Sequence, residues 1–119
     1  MSTVAMILVG LIALVHVYIA VFEMFMWETR GPKVFAGFDR DLFPRTKAMA
    51  FNQGVYNAFL AAGLLWSLFI ADDSWQRNVA LCFLLMVAVA GLAGAATAAR
   101  QILYVQTIPA VLAIIAVLL

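Results

Sequence analysis

A glutamate and a histidine, Glu23 and His16, stand inside the first apolar stretch of the chain. At 100° per residue His16, Ala20, Glu23 and Trp27 fall within a stripe ~60° wide, so carboxyl and imidazole face the same way, two turns or roughly 10 Å apart. A carboxyl shielded from water can act as a general acid or base near neutral pH, and a histidine can share or relay the proton. The same pair would suit proton-coupled transport, in which one carboxylate alternates between a proton and a cationic substrate.

Further polar residues interrupt the other apolar stretches: Asn52, Gln53 and Asn57 in the second, Thr97 in the third, Gln106 in the fourth. Counted from the helix ends expected at the cytoplasmic side, Glu23, Asn52, Gln53, Gln106 and Thr97 come out at one depth, and His16 and Asn57 at a deeper one. The expected arrangement is a pocket open toward the cytoplasmic leaflet, with His16 and Asn57 on its floor. Glu23 and His16 are the candidate catalytic residues. Trp27, Asn52, Gln53, Tyr56, Asn57, Thr97 and Gln106 are the candidate substrate contacts, with Tyr18 and Tyr104 as further wall residues. The ordinary alternative is that Asn, Gln, Thr and His hydrogen-bond between helices to hold a bundle together, and that Trp27 anchors at the interface.

Other chemistries fit poorly. His16 and Glu23 are too far apart on one helix to share an ion, and no other His or nearby Cys completes a ligand set, so no metal or other cofactor is expected. Ser2, Ser67 and Ser74 belong near the opposite side from Glu23, which removes a serine triad. Phosphate-binding loops and dinucleotide fingerprints are absent. A formal charge of +1 offers no surface for nucleic acid.

The elements that must position these groups follow from composition. Hydrophobic residues make up 67% of the 119 and charged ones 11%, far outside the range of water-soluble proteins. Spanning the hydrocarbon takes about 20 mostly apolar residues. The chain supplies four such stretches, expected as helices over 4–28, 46–71, 74–99 and 102–119 of one antiparallel transmembrane bundle. The third-to-fourth junction has no breaker, and Pro109 either kinks the last helix or begins it.

Five of the seven cations, Arg30, Lys33, Arg40, Arg45 and Lys47, lie between the first two helices, and Arg100 falls on the same side. The positive-inside rule puts that side in the cytoplasm and both termini outside. Gly31-Pro32 is expected to break the first helix. The residues 33–45 mix Phe35, Phe38, Leu42 and Phe43 with charge, which suits a segment lying on the membrane surface or capping a cavity. Asp73 or Ser74 should cap the third helix. Gly91, Gly94, Ala95 and Ala98 form a small-residue face for close packing, against a helix of this chain or of a second copy in a homo-oligomer. Cys82 is expected as a small buried apolar residue. The first stretch lacks a basic leader and contains His16 and Glu23, so it is expected to be a retained helix.

His16-x-Tyr18 and Glu23-Met24-Phe25-x-Trp27, followed by Asn52-Gln53-Gly54-x-Tyr56-Asn57-x-Phe59-Leu60-Ala61-x-Gly63-Leu64, resemble domain of unknown function 1304. The likeness continues through Gly94-Ala95-Ala96-Thr97 and Val105-Gln106-x-x-Pro109-Ala110. The resemblance implies a small four-helix, multi-pass protein of the bacterial inner membrane and implies no activity. The residues themselves suggest a membrane-embedded site for a small hydrophobic or lipid-like molecule, with membrane lipids as neighbours and isomerisation or hydration by proton transfer as the chemistry. A homodimeric proton-coupled transporter and an accessory membrane subunit are the alternatives.

Overall fold

The computed structural model describes all 119 residues, Met1–Leu119, and is all-α. Its elements are α1 (Thr3–Phe25), α2 (Trp27–Val34), α3 (Leu42–Arg45), α4 (Lys47–Leu68), α5 (Asp73–Thr97), a π-turn (Leu103–Thr107) and α6 (Ile108–Leu118). Two helices, α1 and α5, are long and apolar enough to cross a membrane, with mean hydropathies of 2.7 and 2.5. The chain divides into two compact units, Met1–Leu14 with Leu60–Leu119, and Val15–Phe59.

The first unit has an aliphatic core in which Val9, Ala13, Leu64, Leu84, Val87 and Ala113 are fully buried. Small residues set how closely its helices approach. A Cβ on Gly63 would collide with the Phe83 ring, and one on Gly91 would overlap the Thr107 hydroxyl and lie 2.7 Å from the Thr107 nitrogen. One on Gly94 would stand 3.0 Å from Ile102. The small-residue face of α5 is therefore covered from within the chain at Gly91 and Gly94, by the 102–107 segment running antiparallel to it. Ala95 is half-buried and Ala98 exposed.

Pro109 has no N–H to give the Val105 carbonyl, and its ring would crowd that carbonyl in a regular helix. The chain answers with the π-turn, closed by the Ile108 N–H on the Leu103 carbonyl. Pro109 then falls in the first turn of α6, where a missing donor costs least. The expected N-cap of α5 is corrected by one residue. Asp72, in extended conformation, accepts from the Trp75 N–H at 2.9 Å, because a capping side chain must reach the third residue of the helix. Cys82 does lie inside α5, but on its exposed face. Its neighbours in sequence are apolar, yet the buried stripe runs through Ala80, Leu84 and Val87 instead.

In the second unit, the end of α1 and the start of α4 run antiparallel, as the pairs Phe25–Phe51, Met24–Gly54 and Glu23–Asn57 show. The first helix breaks at Met26 (φ −125°, ψ 12°), not at Gly31-Pro32. Pro32 lies inside α2, where it deletes only the bond to the Glu28 carbonyl. Gly31 matters for a different reason, since a Cβ there would stand 2.5 Å from the fully buried Phe43 ring. Aromatic rings knit α2 and α3 to the end of α1: Trp27 lies 5.1 Å from Phe43, 5.8 Å from Phe22 and 5.9 Å from Phe35 between centroids. That packing outweighs helix continuity at Met26 and ties Phe35 and Phe43 of the 33–45 segment to Phe22 and Trp27.

Candidate functional site

Gly54 sits in mid-helix, where glycine costs about 1 kcal/mol relative to alanine. Its use is proximity. A Cβ there would meet the Met24 side chain at 2.5 Å, the Ala20 carbonyl at 2.9 Å and Glu23 Cβ at 3.2 Å. Ala50, Gly54 and Asn57, spaced four and three residues apart, form the face of α4 turned to α1, and all three are buried. The backbone of α4 thereby lies against α1 beside Glu23.

Asn57 Nδ2 donates to Glu23 Oε1 at 2.5 Å and to the Gln53 carbonyl at 3.2 Å. The second bond, one turn back along α4, fixes the plane of the amide so that its other N–H points at the carboxyl. Asn57 is 7% exposed and Glu23 half-buried, so the carboxyl is held on one side without being sealed in. His16, on the same face of α1 two turns earlier, is completely enclosed.

Matching Cα depths put Asn57 a full layer below Glu23, yet the two are bonded. Side chains on a helix lean toward its N-terminus. In an antiparallel pair they lean toward one another here, Glu23 back along α1 and Asn57 back along α4, and this closes about one turn of separation. Asn52 and Gln53 are exposed, and Gln53 contributes its main-chain oxygen. Tyr56 is 57% exposed and edge-on to Phe59 at 6.2 Å. Trp27 is half-buried and donates from Nε1 to Thr46 Oγ1 at 3.0 Å, while Thr46 donates to the Leu42 carbonyl at 2.8 Å.

The family model described as "protein of unknown function (DUF1304)" matches residues 10–118. The chain belongs to this family. A search of curated proteins and a search of solved structures each return no match. The span matched to DUF1304 contains Glu23, Gln53, Gly54 and Asn57, as well as His16, Gly91 and the π-turn.

Of the other DUF1304-span residues singled out by type, Thr97 and Gln106 lie in the first unit. Thr97 is exposed and turns its hydroxyl onto the Ala93 carbonyl of its own helix at 2.7 Å. Gln106 is 8% exposed, beside Thr107, whose hydroxyl donates to the Ala88 carbonyl at 3.0 Å. Residue chemistry alone passes over Gly54, Thr46 and Thr107. The available signal for Gly54 was a helix-disfavouring residue in the middle of an apolar helix, which marks close approach in membrane bundles. Thr46 carries no such mark.

Proposed function

We propose that the chain is an integral membrane protein with four spans, α1, α4, α5 and the Leu103–Leu118 helix, in the bacterial inner membrane that its family resemblance implies. The basic segment between α1 and α4 faces the cytoplasm and both termini face outward, in accord with the positive-inside rule. At 1.5 Å per residue α4 is about 33 Å long, close to the ~30 Å hydrocarbon thickness. Its lower hydropathy stems from Lys47, Asn52, Gln53 and Asn57. Large apolar side chains are exposed along every span, among them Ile7 and Leu11, Phe59 and Trp66, Leu85 and Val89, Leu112 and Ile115. Such a surface is a liability in water and an ordinary exterior in lipid.

Within that frame the Glu23 cluster binds a small hydrophobic or lipid-like molecule and transforms it by proton transfer, as in an isomerisation or hydration. Glu23 is the acid or base, His16 its proton partner, Asn57 the group that holds the carboxyl, and Asn52 and Gln53 orient the substrate. The observation that carries this reading is the Glu23–Asn57 bond in a close helix seam. A carboxyl is costly in a span and an amide would serve assembly as well, so its presence there supports a chemical role.

The test uses wild-type protein and Glu23→Gln in lipid nanodiscs, with native mass spectrometry of the apolar molecules that each carries and their conversion over time. The wild type should retain and turn over a molecule that Glu23→Gln leaves unconverted, at unchanged helicity. Identical ligand content and turnover would return the cluster to a structural role.

A further inference from the structure

Between α1 and α4 lie four cations, Arg30, Lys33, Arg40 and Arg45, and three acids, Glu28, Asp39 and Asp41, and a fifth cation, Lys47, opens α4. Two of the acids are engaged: Glu28 lies 3.2 Å from Lys47 Nζ, and Asp41 lies 3.8 Å from Arg45. Arg30, Lys33 and Arg40 remain against Asp39 alone, three exposed cations to one exposed carboxylate. Val34 and Phe38, 38% and 40% exposed, stand between Lys33 and Arg40. Phe35, half-buried, packs on Phe38 at 5.9 Å and on Phe22 at 6.4 Å, which joins the segment to α1. The Arg30 guanidinium lies 5.9 Å over the Tyr18 ring, about two turns before the end of α1.

We propose that residues 30–40 form a docking surface for anionic phospholipid of the cytoplasmic leaflet, with Arg30, Lys33 and Arg40 on the headgroup phosphates and Val34 and Phe38 in the acyl boundary. The charge excess is complementary to an anionic leaflet. The apolar residues between the cations choose the source, because a phosphate free in water would use the cations and leave Phe38 without a role, whereas a lipid uses both. The proposal rests on the membrane reading above and goes beyond it in specifying headgroup charge.

The experiment reconstitutes the full chain in nanodiscs of equal phosphatidylglycerol and phosphatidylcholine and measures, by native mass spectrometry, which lipid stays with the released protein. Wild type should retain phosphatidylglycerol preferentially, the preference should collapse in 0.5 M salt, and Lys33→Gln with Arg40→Gln should lower it about fivefold per cation removed. Arg77→Gln, in the second turn of α5 and outside the 30–40 segment, should leave it intact. If the double variant misfolds, the salt titration of wild type decides the same point. Equal retention of both lipids, a preference indifferent to the double substitution or to salt, or full displacement by inorganic phosphate would overturn the proposal. Release of the chain from membranes by alkaline carbonate would instead sink the membrane reading itself.

Discussion

The two units of the chain differ in what their polar side chains meet. In the unit formed by Met1–Leu14 and Leu60–Leu119, Ser67, Thr97 and Thr107 turn their hydroxyls onto main-chain carbonyls, those of Leu64, Ala93 and Ala88. In Val15–Phe59, Thr29 and Thr46 likewise turn onto the Met26 and Leu42 carbonyls, but side chain also meets side chain: Asn57 on Glu23, Trp27 on Thr46, Lys47 on Glu28. The cores differ as well, aliphatic in the first and aromatic in the second, with close glycine contacts in both. A hydroxyl on a carbonyl spends its polarity on the backbone and presents nothing to a ligand. A carboxyl held by one amide keeps acid–base capacity. The proposed reading assigns the chemistry to Val15–Phe59, and the predictions below bear on that assignment.

The sharpest break in that contrast comes from Glu23→Gln. Loss of a general acid or base costs typically 10²–10⁴-fold in rate, so turnover in nanodiscs should fall by about that much with the melting temperature held. Thr107→Val, the matching change in the other unit, should lower the melting temperature and leave turnover per folded molecule unchanged.

Next in size are the two glycines at close helix contacts. Gly54→Ala and Gly91→Ala each drive a Cβ against main-chain atoms, the Ala20 carbonyl at 2.9 Å and the Thr107 nitrogen at 2.7 Å. Overpacking of this kind costs about 1–3 kcal/mol, read by thermal unfolding in detergent. Only Gly54→Ala should also disturb the Glu23 site, and equal loss of function from both would blur the division between the units.

Asn57→Leu removes the carboxyl's partner, and an unsatisfied partly buried group costs about 1–3 kcal/mol. Asn57→Leu should therefore lower both stability and turnover, with turnover the more affected because Asn57 positions Glu23 in the proposed site. Smaller still, Thr46→Val deletes the acceptor for Trp27 Nε1, an effect of about 1 kcal/mol that tryptophan fluorescence can follow. Lys47→Gln, removing an exposed ion pair, should change stability by no more than about 0.5 kcal/mol.

Much of the second unit was legible in the residues. Glu23 and His16 share a face because helical period alone demands it, and Asn57 stood out by type. The partnership of Glu23 with Asn57 was not legible from Cα depth, because it depends on both side chains leaning to their own N-termini. The break at Met26 was equally hidden: no residue there disfavours helix, whereas Gly31-Pro32 does and stays helical. Its cause is the packing of Trp27 on Phe22, Phe35 and Phe43, which come from three separate stretches of sequence. In the first unit the small face of α5 was legible and its occupant was not, since glycine spacing says that something comes close without saying what.

Apolar length, helical period and the placement of a few polar residues are properties of single segments, and the sequence by itself determined them: an all-α chain with long apolar helices, a carboxyl and an imidazole on one face of α1, amides on α4. Distances between segments are not local properties. The Glu23–Asn57 bond exists because Gly54 lets two backbones meet where a Cβ would hold them apart, and the π-turn before Pro109 brings Gln106 and Thr107 under Gly91. Those facts belong to tertiary structure, because each depends on an atom missing from one helix at the point where another arrives.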